Sequence, residues 1–246
     1  MNSDPTKLRI DRLLVERGLF DSRAKAQDAI AAGRVKANGK LIAKASEEIA
    51  ADAPIEATPA HPYVSRGALK LIAALDHFKL DPKNRVCLDV GASTGGFTQV
   101  LVERGAAKVY AVDVGTAQLH PSLRDNPRIV SLEQTDIRAL EPALLDPKPD
   151  LLVCDASFIS LKLVLPAALA LAARPTDLIA LIKPQFEAGR THIKKGIVRD
   201  EAVRQRVCDE IVTLVTSLGG RAIGVIPSPI EGGDGNVEYL MAAALP

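Results

Sequence analysis

The sequence has few aromatic residues and no long apolar run. Aromatic residues make up 3% of its 246 residues, with no tryptophan, five phenylalanines and three tyrosines. This scarcity argues against a protein that stacks many bases or sugars on aromatic platforms. The longest uncharged apolar stretch, residues 163–173, is much shorter than the roughly 20 residues that cross a bilayer. We therefore expect no membrane partner.

Cysteine and histidine are also scarce. The three cysteines, Cys87, Cys154 and Cys208, form no Cys-x-x-Cys pair, and two of them lie in apolar runs, as is typical of small core residues in a reducing compartment. The four histidines form no ligand cluster with them, so we predict no metal. Residues 1–5 have no apolar core, so we expect no signal peptide and a cytoplasmic location.

Positive charge is concentrated near the start of the chain. The whole chain has a formal net charge of +1. Between Lys7 and Lys44, however, ten basic residues face four acidic ones, which leaves this segment at +6 and the rest of the chain at −5. A small basic module on a mildly acidic body is typical of a tethered reader of polyanions, although a solvated charged surface has the same composition.

The basic segment predicts a small α+β module. Apolar residues at helical spacing predict helices over residues 8–17 and 23–32. The Asn-Gly pair at 38–39, between two short apolar runs, predicts a β-hairpin. Prolines interrupt residues 53–62, which we interpret as a linker.

The rest of the chain alternates between short β runs and helical runs. A helix over Ser65–Phe78 is followed by seven predicted strands: Val86–Val90, Val109–Val112, Ile129–Leu132, Leu151–Cys154, Leu178–Ile182, Ala222–Ile226 and Tyr239–Ala243. Helices are predicted in most of the gaps, around residues 96–104, 138–145, 160–173 and 200–217. Such alternation implies crossover connections and a mostly parallel sheet covered on both faces.

The last two strands are joined by residues 227–236, a glycine-rich loop without a helix, so the last strand is predicted to be antiparallel. The predicted fold class is α/β, a Rossmann-like seven-stranded sheet of the methyltransferase type with its last strand antiparallel, plus the small N-terminal α+β domain. We predict that the first domain and its linker span residues 1–60 and the second domain residues 61–246. This topology disfavours a dehydrogenase.

The first predicted strand of the sheet runs into a glycine-rich loop. Its glycines let the backbone turn sharply and approach a ligand at the carboxyl end of the strand. The loop is not G-x-G-x-x-G, and no Gly-Lys-Ser/Thr follows it, so nucleotide phosphates are not the expected ligand. The cofactor contacts predicted from it are Asp89, Gly91, Ala92, Ser93, Thr94, Gly95, Gly96 and Phe97.

Acidic residues follow the next strands. Asp113 can accept both hydroxyls of a ribose, and Asp136 can meet an adenine amino group. Both could instead cap helices. Together with the glycine-rich loop, they predict a site for an adenosine cofactor without phosphates, a description that S-adenosylmethionine fits. Asp155, after the fourth strand, is also predicted to contact this cofactor.

Four charged residues are predicted to meet near the reactive end of that cofactor. Lys70 lies in the helix before the first strand and Asp155 ends the fourth strand. Lys183 ends the fifth strand and Glu238 begins the seventh. Each alone is typical of a surface charge, so the prediction depends on their joint placement at strand ends. A lysine in such a setting can act as a general base once it has lost its proton.

The order Lys70, Asp155, Lys183, Glu238 resembles the K-D-K-E tetrad of FtsJ-like RNA ribose 2′-O-methyltransferases. Five stretches are similar to the TlyA (hemolysin A) family within that group: YVSRGALKL, LDVGASTGGFT, CDASFISL, LIKPQFE and KKGIVRD. The resemblance implies methyl transfer from S-adenosylmethionine to ribose 2′-hydroxyls of ribosomal RNA, free or in ribosomal subunits. It also implies that Lys183 is the base and that the other three residues orient and tune it.

The N-terminal segment has a resemblance of its own. Arg12, Ser22–Ala24 and Gly33–Gly39 resemble the αL RNA-binding motif named after ribosomal small-subunit protein four. This resemblance implies contacts with RNA phosphates, which give affinity and set register. The predicted RNA-binding residues are Arg9, Arg12, Arg23, Lys25, Arg34, Lys36 and Lys40.

Three other functions stay open at this point. A ribosome-assembly factor could keep the fold and lose the chemistry, although the intact tetrad weighs against it. The family's other name suggests a membrane-active hemolysin, against which the lack of a spanning run weighs. A dehydrogenase is disfavoured by the glycine loop and by the antiparallel last strand.

Overall fold

The computed structural model describes residues 6–232 and 235–246, and the chain divides into two compact units between Pro62 and Tyr63. Two predictions fall partly outside the described residues. One is the absence of a signal peptide, which rests on residues 1–5, and the other is the glycine-rich loop, of which residues 233 and 234 are not described. The predicted linker is partly wrong, because residues 55–57 form a strand whose apolar side chains pack on the core of the first unit.

The N-terminal unit consists of two helices and five short strands. In chain order they are β1 (Lys7–Arg9), α1 (Ile10–Glu16), α2 (Arg23–Ala31), β2 (Val35–Ala37), β3 (Lys40–Leu41), β4 (Glu48–Ala50) and β5 (Ile55–Ala57). β1 pairs with β4, and β2 pairs with both β3 and β5, all antiparallel. The first helix therefore begins at Ile10 and not at Leu8, because the preceding residues are extended in the pairing with β4.

Local sequence signals account for several boundaries of this unit. The Ser22 hydroxyl accepts a hydrogen bond from the backbone N–H of Lys25 at 3.3 Å and caps α2. Asn38 and Gly39 have φ values of 51° and 74°, which the two-residue turn of a hairpin requires. The apolar faces of α1 and α2 pack with Val35 into a small core.

One buried carboxylate organises the charged side chains of this unit. Asp11 has no exposed surface, and it accepts hydrogen bonds from Arg9 at 3.0 and 3.1 Å and from Arg23 at 2.7 Å. Gln27 donates to the same carboxylate at 2.8 Å. Arg9 is the largest cause that holds the pKa of Asp11 well below its ordinary value, and it outweighs the opposing effect of burial. Asp11 thereby ties β1, α1 and α2 together.

The C-terminal unit is a seven-stranded sheet with helices on both faces. Its strands are β6 (Val86–Val90), β7 (Lys108–Val112), β8 (Ile129–Leu132), β9 (Leu151–Cys154), β10 (Thr176–Ile182), β11 (Arg221–Pro227) and β12 (Tyr239–Leu245). Its α-helices are α3 (Gly67–Phe78), α4 (Gly96–Glu103), α5 (Pro121–Arg124), α6 (Leu161–Leu171), α7 (Pro184–Glu187) and α8 (Glu201–Ser217). The order β11-β12-β10-β9-β6-β7-β8, with β12 antiparallel to both neighbours, confirms the predicted fold class.

Both faces of this sheet are buried. Residues of α6 and α8 pack in one apolar cluster, and residues of α3 and α4 pack in the other. Every residue of β9 is buried as a result, although its side chains alternate between the two faces. Strands covered on both faces are apolar without interruption, which explains the continuous apolar runs of the sequence.

The topology brings several chain ends to one edge of the sheet. The parallel strands β6, β7, β9 and β10 end at this edge, and the antiparallel β12 begins there. Ile182, the last residue of β10, pairs with Tyr239, the first residue of β12. The residues just beyond that pair, Lys183 and Glu238, therefore belong to adjacent chain segments although they are far apart in sequence.

One predicted helix of this unit is wrong. Residues 138–145 contribute to two 3-10 turns, Ile137–Ala139 and Pro142–Leu144, and not to one α-helix. Pro142 has no backbone N–H to donate, and its ring disfavours a helical backbone at the preceding residue. Glu141 is extended accordingly, with ψ 127°.

The shared carboxylate of Asp11 generates a stability prediction. Asp11→Ala leaves two guanidinium groups and the Gln27 amide without their acceptor, so we expect a loss of about 1–3 kcal/mol in the N-terminal unit at pH 7. Because the folded pKa is lowered, this stabilisation is present above the ordinary pKa and fades as the pH falls below about 4. Faster hydrogen exchange in α1 and α2 at neutral pH, and a smaller difference in acid, would agree.

The matched control is Asp21→Ala. Asp21 lies on the surface of the same unit, where its carboxylate is 73% exposed and pairs with Lys25 at 2.8 Å. Exposed ion pairs contribute little to stability. Equal exchange rates in the two variants would contradict a stabilising role of Asp11.

Candidate active site

The glycine loop lies where the sequence analysis expects it, between β6 and α4. Gly91 has φ +83°, and a Cβ atom there would lie 2.8 Å from the carbonyl oxygen of Asp155. A Cβ atom at Gly96 would overlap the Ser65 hydroxyl. Position 91 therefore requires glycine, and a side chain at position 96 would have to displace the Ser65 hydroxyl. Two cavities lie along this edge of the sheet.

The first cavity, which we call the acidic cavity, has a volume of about 530 Å³ and lies beyond β6, β7 and β9. Asp113 lines it, and its two carboxylate oxygens accept hydrogen bonds from the backbone N–H groups of Ser93 at 2.8 Å and Gly115 at 2.7 Å. Both bonds belong to loops, so Asp113 does not cap a helix. Apolar side chains, among them Val114 and Ile137, form the other walls.

Asp136 lines the same cavity but has a structural partner. Its carboxylate caps the 3-10 turn that follows it, through the backbone N–H of Arg138 at 2.9 Å. The Arg138 guanidinium also binds both oxygens at 2.5 to 3.1 Å. These contacts, the guanidinium first, lower the pKa of Asp136 to about 2. The helix-cap interpretation therefore describes Asp136 correctly, and any ligand contact there has to share the carboxylate with Arg138.

The acidic cavity suits an uncharged nucleoside better than a phosphate. Asp113, Asp136 and Asp155 all line it, and its one lining cation, Arg138, is already paired with Asp136. Carboxylates repel phosphates, whereas they accept hydrogen bonds from ribose hydroxyls and from an amino group. Volume and lining are both suited to a small ligand with an apolar body and a few polar groups.

The second cavity, which we call the tetrad cavity, also has a volume of about 530 Å³. Lys70, Asp155, Lys183 and Glu238 all line it, so the structure brings together the four residues predicted from α3 and three strand ends. The two cavities adjoin, because five residues line both of them: Gly91, Ser93, Asp155, Ser157 and Phe158.

Two ion pairs occupy the floor of the tetrad cavity. Lys183 Nζ lies 2.5 Å from Asp155 Oδ1, and it donates a hydrogen bond to the Ser157 hydroxyl at 2.7 Å. Lys70 Nζ lies 2.6 Å from Glu238 Oε2. The side chains of Lys70, Lys183 and Glu238 are at most 8% exposed. Charges with so little solvent require partners, and each lysine here has a carboxylate as its partner.

The carboxylate of Glu238 is held on two further sides. Gln185 Nε2 approaches its other oxygen at 3.5 Å, and a Cβ atom at Gly232 would overlap the carboxylate. Sequence reasoning missed Gln185, although it lies in the LIKPQFE stretch two residues after Lys183. It also missed Ser157, which lies two residues after Asp155. A polar residue two positions after a tetrad residue at a strand end was therefore the signal that could have found both.

An exposed aromatic side chain borders both cavities. Phe158 is 91% exposed and has φ +64°, a left-handed backbone that a bulky residue adopts only under constraint. Its ring packs against Phe186, with centroids 5.1 Å apart and a tilt of 50°. The exposed Phe158 ring, packed on the half-buried Phe186, offers an apolar surface beside the tetrad. Sequence analysis missed it because it weighed only the overall scarcity of aromatics.

Two predicted cofactor contacts line neither cavity. Asp89 has no exposed surface, and one of its carboxylate oxygens accepts a hydrogen bond from the Thr98 hydroxyl at 2.6 Å. Burial, the largest cause, raises the pKa of Asp89 to about 7. Gly95 faces Leu119 and Leu123. The remaining predicted loop residues line the tetrad cavity: Gly91, Ala92, Ser93, Thr94, Gly96 and Phe97.

The predicted RNA-binding residues of the N-terminal unit fall into two groups. Four of them make ion pairs within the unit: Arg9 and Arg23 with Asp11, Lys25 with Asp21, and Arg12 with Glu16. The other three, Arg34, Lys36 and Lys40, lie on or beside the hairpin, are exposed, and make no ion pair with any described residue.

The fold and the two adjoining cavities define a methyltransferase of the Rossmann-like type. Residues 63–245 match the FtsJ-like methyltransferase family, and residues 8–54 match the S4 domain. The chain therefore belongs to the FtsJ-like methyltransferase family, with an N-terminal S4 domain, as the resemblance implied. None of its described helices is long and apolar enough to cross a membrane.

Similar proteins carry two kinds of name. The 16S/23S rRNA (cytidine-2′-O)-methyltransferase TlyA of Mycobacterium tuberculosis is 43% identical over 238 residues, which cover 96% of this chain and 89% of that protein. Hemolysin A of Brachyspira hyodysenteriae is 38% identical over 95% of this chain and 98% of its own length.

Solved structures are similar to this chain as well. A protein from Streptococcus thermophilus that carries the name hemolysin has a TM-score of 0.78 and 40% identity, covering 99% of this chain and 90% of its own. Magnesium protoporphyrin IX methyltransferase from Synechocystis, solved with bound S-adenosylhomocysteine, has a TM-score of 0.51 at 15% identity, over 74% of this chain and 82% of its own. The second likeness shows the fold alone.

The buried carboxyl of Asp89 generates a pH prediction. Its folded pKa lies near 7 and its unfolded pKa near the ordinary value of about 4, so the folded state holds the proton more tightly between these pH values. Stability therefore declines as the pH rises from about 4 to 7, and Asp89→Asn removes this decline. We expect the variant to gain on the order of 1–4 kcal/mol relative to wild type between pH 4 and 8.

Thermal unfolding of the two proteins across this pH range measures the difference. Asp81→Asn, which changes an exposed carboxylate of the same unit, is the control and is expected to follow wild type. Parallel stability profiles for wild type and Asp89→Asn would show that the buried carboxyl does not bind its proton more tightly in the folded protein.

Proposed function

We propose that this protein transfers a methyl group from S-adenosylmethionine to a ribose 2′-hydroxyl of ribosomal RNA, at a cytidine. The observation that carries the proposal is the shared wall of the two cavities, which joins a nucleoside-sized acidic cavity to a pair of buried lysine–carboxylate contacts. The TlyA relative named above, which matches over almost the whole chain, supports the substrate class. A cytoplasmic location, predicted from the sequence, agrees with such a substrate.

The residues of the acidic cavity are suited to the proposed cofactor. Asp113 would accept the ribose hydroxyls, apolar side chains such as Val114 and Ile137 would pack on the adenine, and the tight loop at Gly91 would cradle the amino-acid part. When bound, S-adenosylmethionine supplies a methyl group on a positively charged sulfur, so no metal is needed to make it electrophilic.

In the proposed reaction, Lys183 would accept the proton of the ribose 2′-hydroxyl as the oxygen takes the methyl group. The sulfur would keep the electron pair of the broken carbon–sulfur bond and leave as a neutral thioether. Asp155 and Ser157 hold its Nζ atom at 2.5 and 2.7 Å, which fixes the direction of the amine. The base must first release its own proton, and the exposed Ser157 hydroxyl is the hydrogen-bond partner through which that proton can reach water.

The second ion pair has an electrostatic role in this mechanism. Lys70 is buried and forms an ion pair with Glu238, so its ammonium group would stand at a fixed position in the tetrad cavity. A positive charge stabilises the negative charge that develops on the attacking oxygen. Gln185 and Gly232 confine the Glu238 carboxylate, so the charge keeps its position during the reaction.

We make no second functional proposal. The name hemolysin belongs to some of the similar proteins. A non-catalytic assembly factor would gain nothing from two buried ion pairs in an open cavity, since buried ion pairs often stabilise a fold less than apolar residues of similar size.

The acidic cavity predicts cofactor selectivity. We expect calorimetry to detect binding of S-adenosylmethionine and none of NAD, because the pyrophosphate of NAD would meet carboxylates. Asp113→Ala should weaken S-adenosylmethionine by about tenfold or more, since two hydroxyl contacts are lost. Asp125→Ala, an exposed carboxylate that lines neither cavity, serves as control. Comparable binding of NAD would contradict this assignment of the cavity.

The proposed base predicts a strong effect of a conservative substitution. Lys183→Arg keeps the positive charge but cannot give up its proton, so transfer to ribosomal RNA should fall by about 10² to 10⁴-fold. Lys70→Arg should be milder if Lys70 supplies only charge. Single-turnover transfer of labelled methyl groups to ribosomal RNA and subunits, followed by mapping of 2′-O-methyl positions, measures both.

Binding measurements on the same variants separate chemistry from folding. Lys183→Arg should bind S-adenosylmethionine and RNA about as well as wild type. If it kept most of its single-turnover rate, the proton would have to go to another group, with Glu238 or Asp155 next in line. If wild type itself transferred no methyl group to any ribosomal RNA, the proposed function would be wrong.

A further inference from the structure

The charged residues of segment 189–199, which we call the basic loop, have no role in the site described above. The segment GRTHIKKGIVR contains four lysines and arginines and no acid. Arg190, Lys194, Lys195 and Arg199 are all exposed, and none of them makes an ion pair with another described residue. Asp200, the acid that follows, is occupied by the backbone N–H groups of Ala202 and Val203 at the start of α8.

The basic loop has a defined conformation. Lys194 and Ile197 form a two-residue hairpin with backbone hydrogen bonds of 3.0 and 3.1 Å. The two turn residues, Lys195 and Gly196, have φ values of 51° and 80°, as this type of turn requires. Val198 is buried at the base of the hairpin. The lysines are therefore presented on a fixed turn, which lowers the entropy that a partner must remove.

The basic loop forms part of the wall of the tetrad cavity. Ile193 and Gly196 line that cavity together with Lys183 and Glu238. The carbonyl oxygen of Gly196 also accepts a hydrogen bond from Asn236 at 3.0 Å, two residues before Glu238. Lys194 and Lys195 lie between these two lining residues in the chain, so they stand beside the cavity where the proposed reaction takes place.

A polynucleotide has a phosphate on each side of every ribose. A ribose whose 2′-hydroxyl reaches Lys183 must therefore bring its flanking phosphates to the mouth of the tetrad cavity. Cations on a fixed turn beside that mouth match those phosphates in charge and position. Phosphate contacts of this kind set the register of a nucleic acid without reading its sequence.

We propose that the basic loop binds the RNA backbone next to the methylated ribose. The inference rests on the proposed function for the identity of the polyanion. It assigns phosphate binding to the C-terminal unit itself, so the S4 domain is not the sole RNA contact of the chain.

The test compares two double variants of the full-length protein. Lys194→Gln/Lys195→Gln removes two charges at the cavity mouth. Lys79→Gln/Lys83→Gln removes two charges from exposed lysines that precede β6, at the amino-terminal edge of the same sheet. Both variants change the net charge by the same amount. Lys194→Arg/Lys195→Arg keeps the charge and tests rescue.

The readouts are the affinity for ribosomal RNA as a function of salt, and KM and kcat from steady-state methyl-transfer rates. The loop variant should bind RNA about tenfold more weakly, and its slope of log K against log salt should be shallower by about 1–2, since each lost phosphate contact reduces it by roughly 0.7–0.9. The loss should lie mainly in KM. The Lys79/Lys83 variant and the arginine variant should stay near wild type, and all should bind S-adenosylmethionine equally.

Two outcomes would overturn the inference. One is a salt slope and affinity of the loop variant equal to those of the Lys79/Lys83 variant. The other is a loss confined to kcat, which would mean that the loop acts on the chemistry and not on RNA binding. Failure of the proposed function looks different: wild type would transfer no methyl group, although its RNA binding could still depend on the loop.

Discussion

The C-terminal unit depends on the pairing of buried charges at one edge of its sheet. Lys70 and Glu238 are 168 positions apart in the chain, and their charged atoms lie 2.6 Å apart with almost no exposure to solvent. Removing either charge from water costs several kcal/mol unless its partner is in place. Helix α3 and strand β12 must therefore both be docked on the sheet before this edge is stable. The antiparallel direction of β12 makes the contact possible. Because β12 begins at the edge where β10 ends, Glu238, the residue just before β12, lies beside the end of β10.

The same edge explains how two different cavities come to adjoin. The segment from Asp155 to Phe158 leaves β9 and lines both of them. Its first residue pairs with Lys183, its third accepts a hydrogen bond from the same lysine, and its fourth is an exposed aromatic in a left-handed conformation. Four consecutive residues thus separate the proposed cofactor region from the proposed substrate region, so a change in this segment affects both.

The two units differ in how many of their positively charged side chains form ion pairs. In the N-terminal unit a single buried carboxylate, Asp11, holds two arginines, so part of the local positive charge stabilises the fold. Arg34, Lys36 and Lys40 keep their charge free for a ligand. In the C-terminal unit, whose formal net charge is zero, the unpaired Lys194 and Lys195 of the basic loop lie beside the tetrad cavity. A count of lysines and arginines alone therefore overstates the charge that the N-terminal unit offers to a ligand, and it overlooks the basic loop of the C-terminal unit.

Much of this protein can be predicted from its sequence, because strand ends, glycine turns and apolar runs are local signals. The seven strands, the antiparallel last strand, the hairpin at Asn38 and the meeting of the four tetrad residues all follow from such signals together with the rules of parallel sheets. Contacts that depend on packing could not be predicted. The strand at residues 55–57 exists because it completes a small core, and residues 138–145 contribute to two short turns because Pro142 interrupts the backbone bonds.

The sequence by itself determined which residues stand at the ends of the strands and which positions must be glycine. Only the tertiary structure decided how those residues are used. In the folded chain, the Asp89 carboxyl is buried and bonded to Thr98, and Asp136 is paired with Arg138. Ser157 and Gln185 contact residues of the tetrad. The reason is physical: a sequence orders side chains along one dimension, whereas burial and charge pairing depend on which chain segments pack together in three.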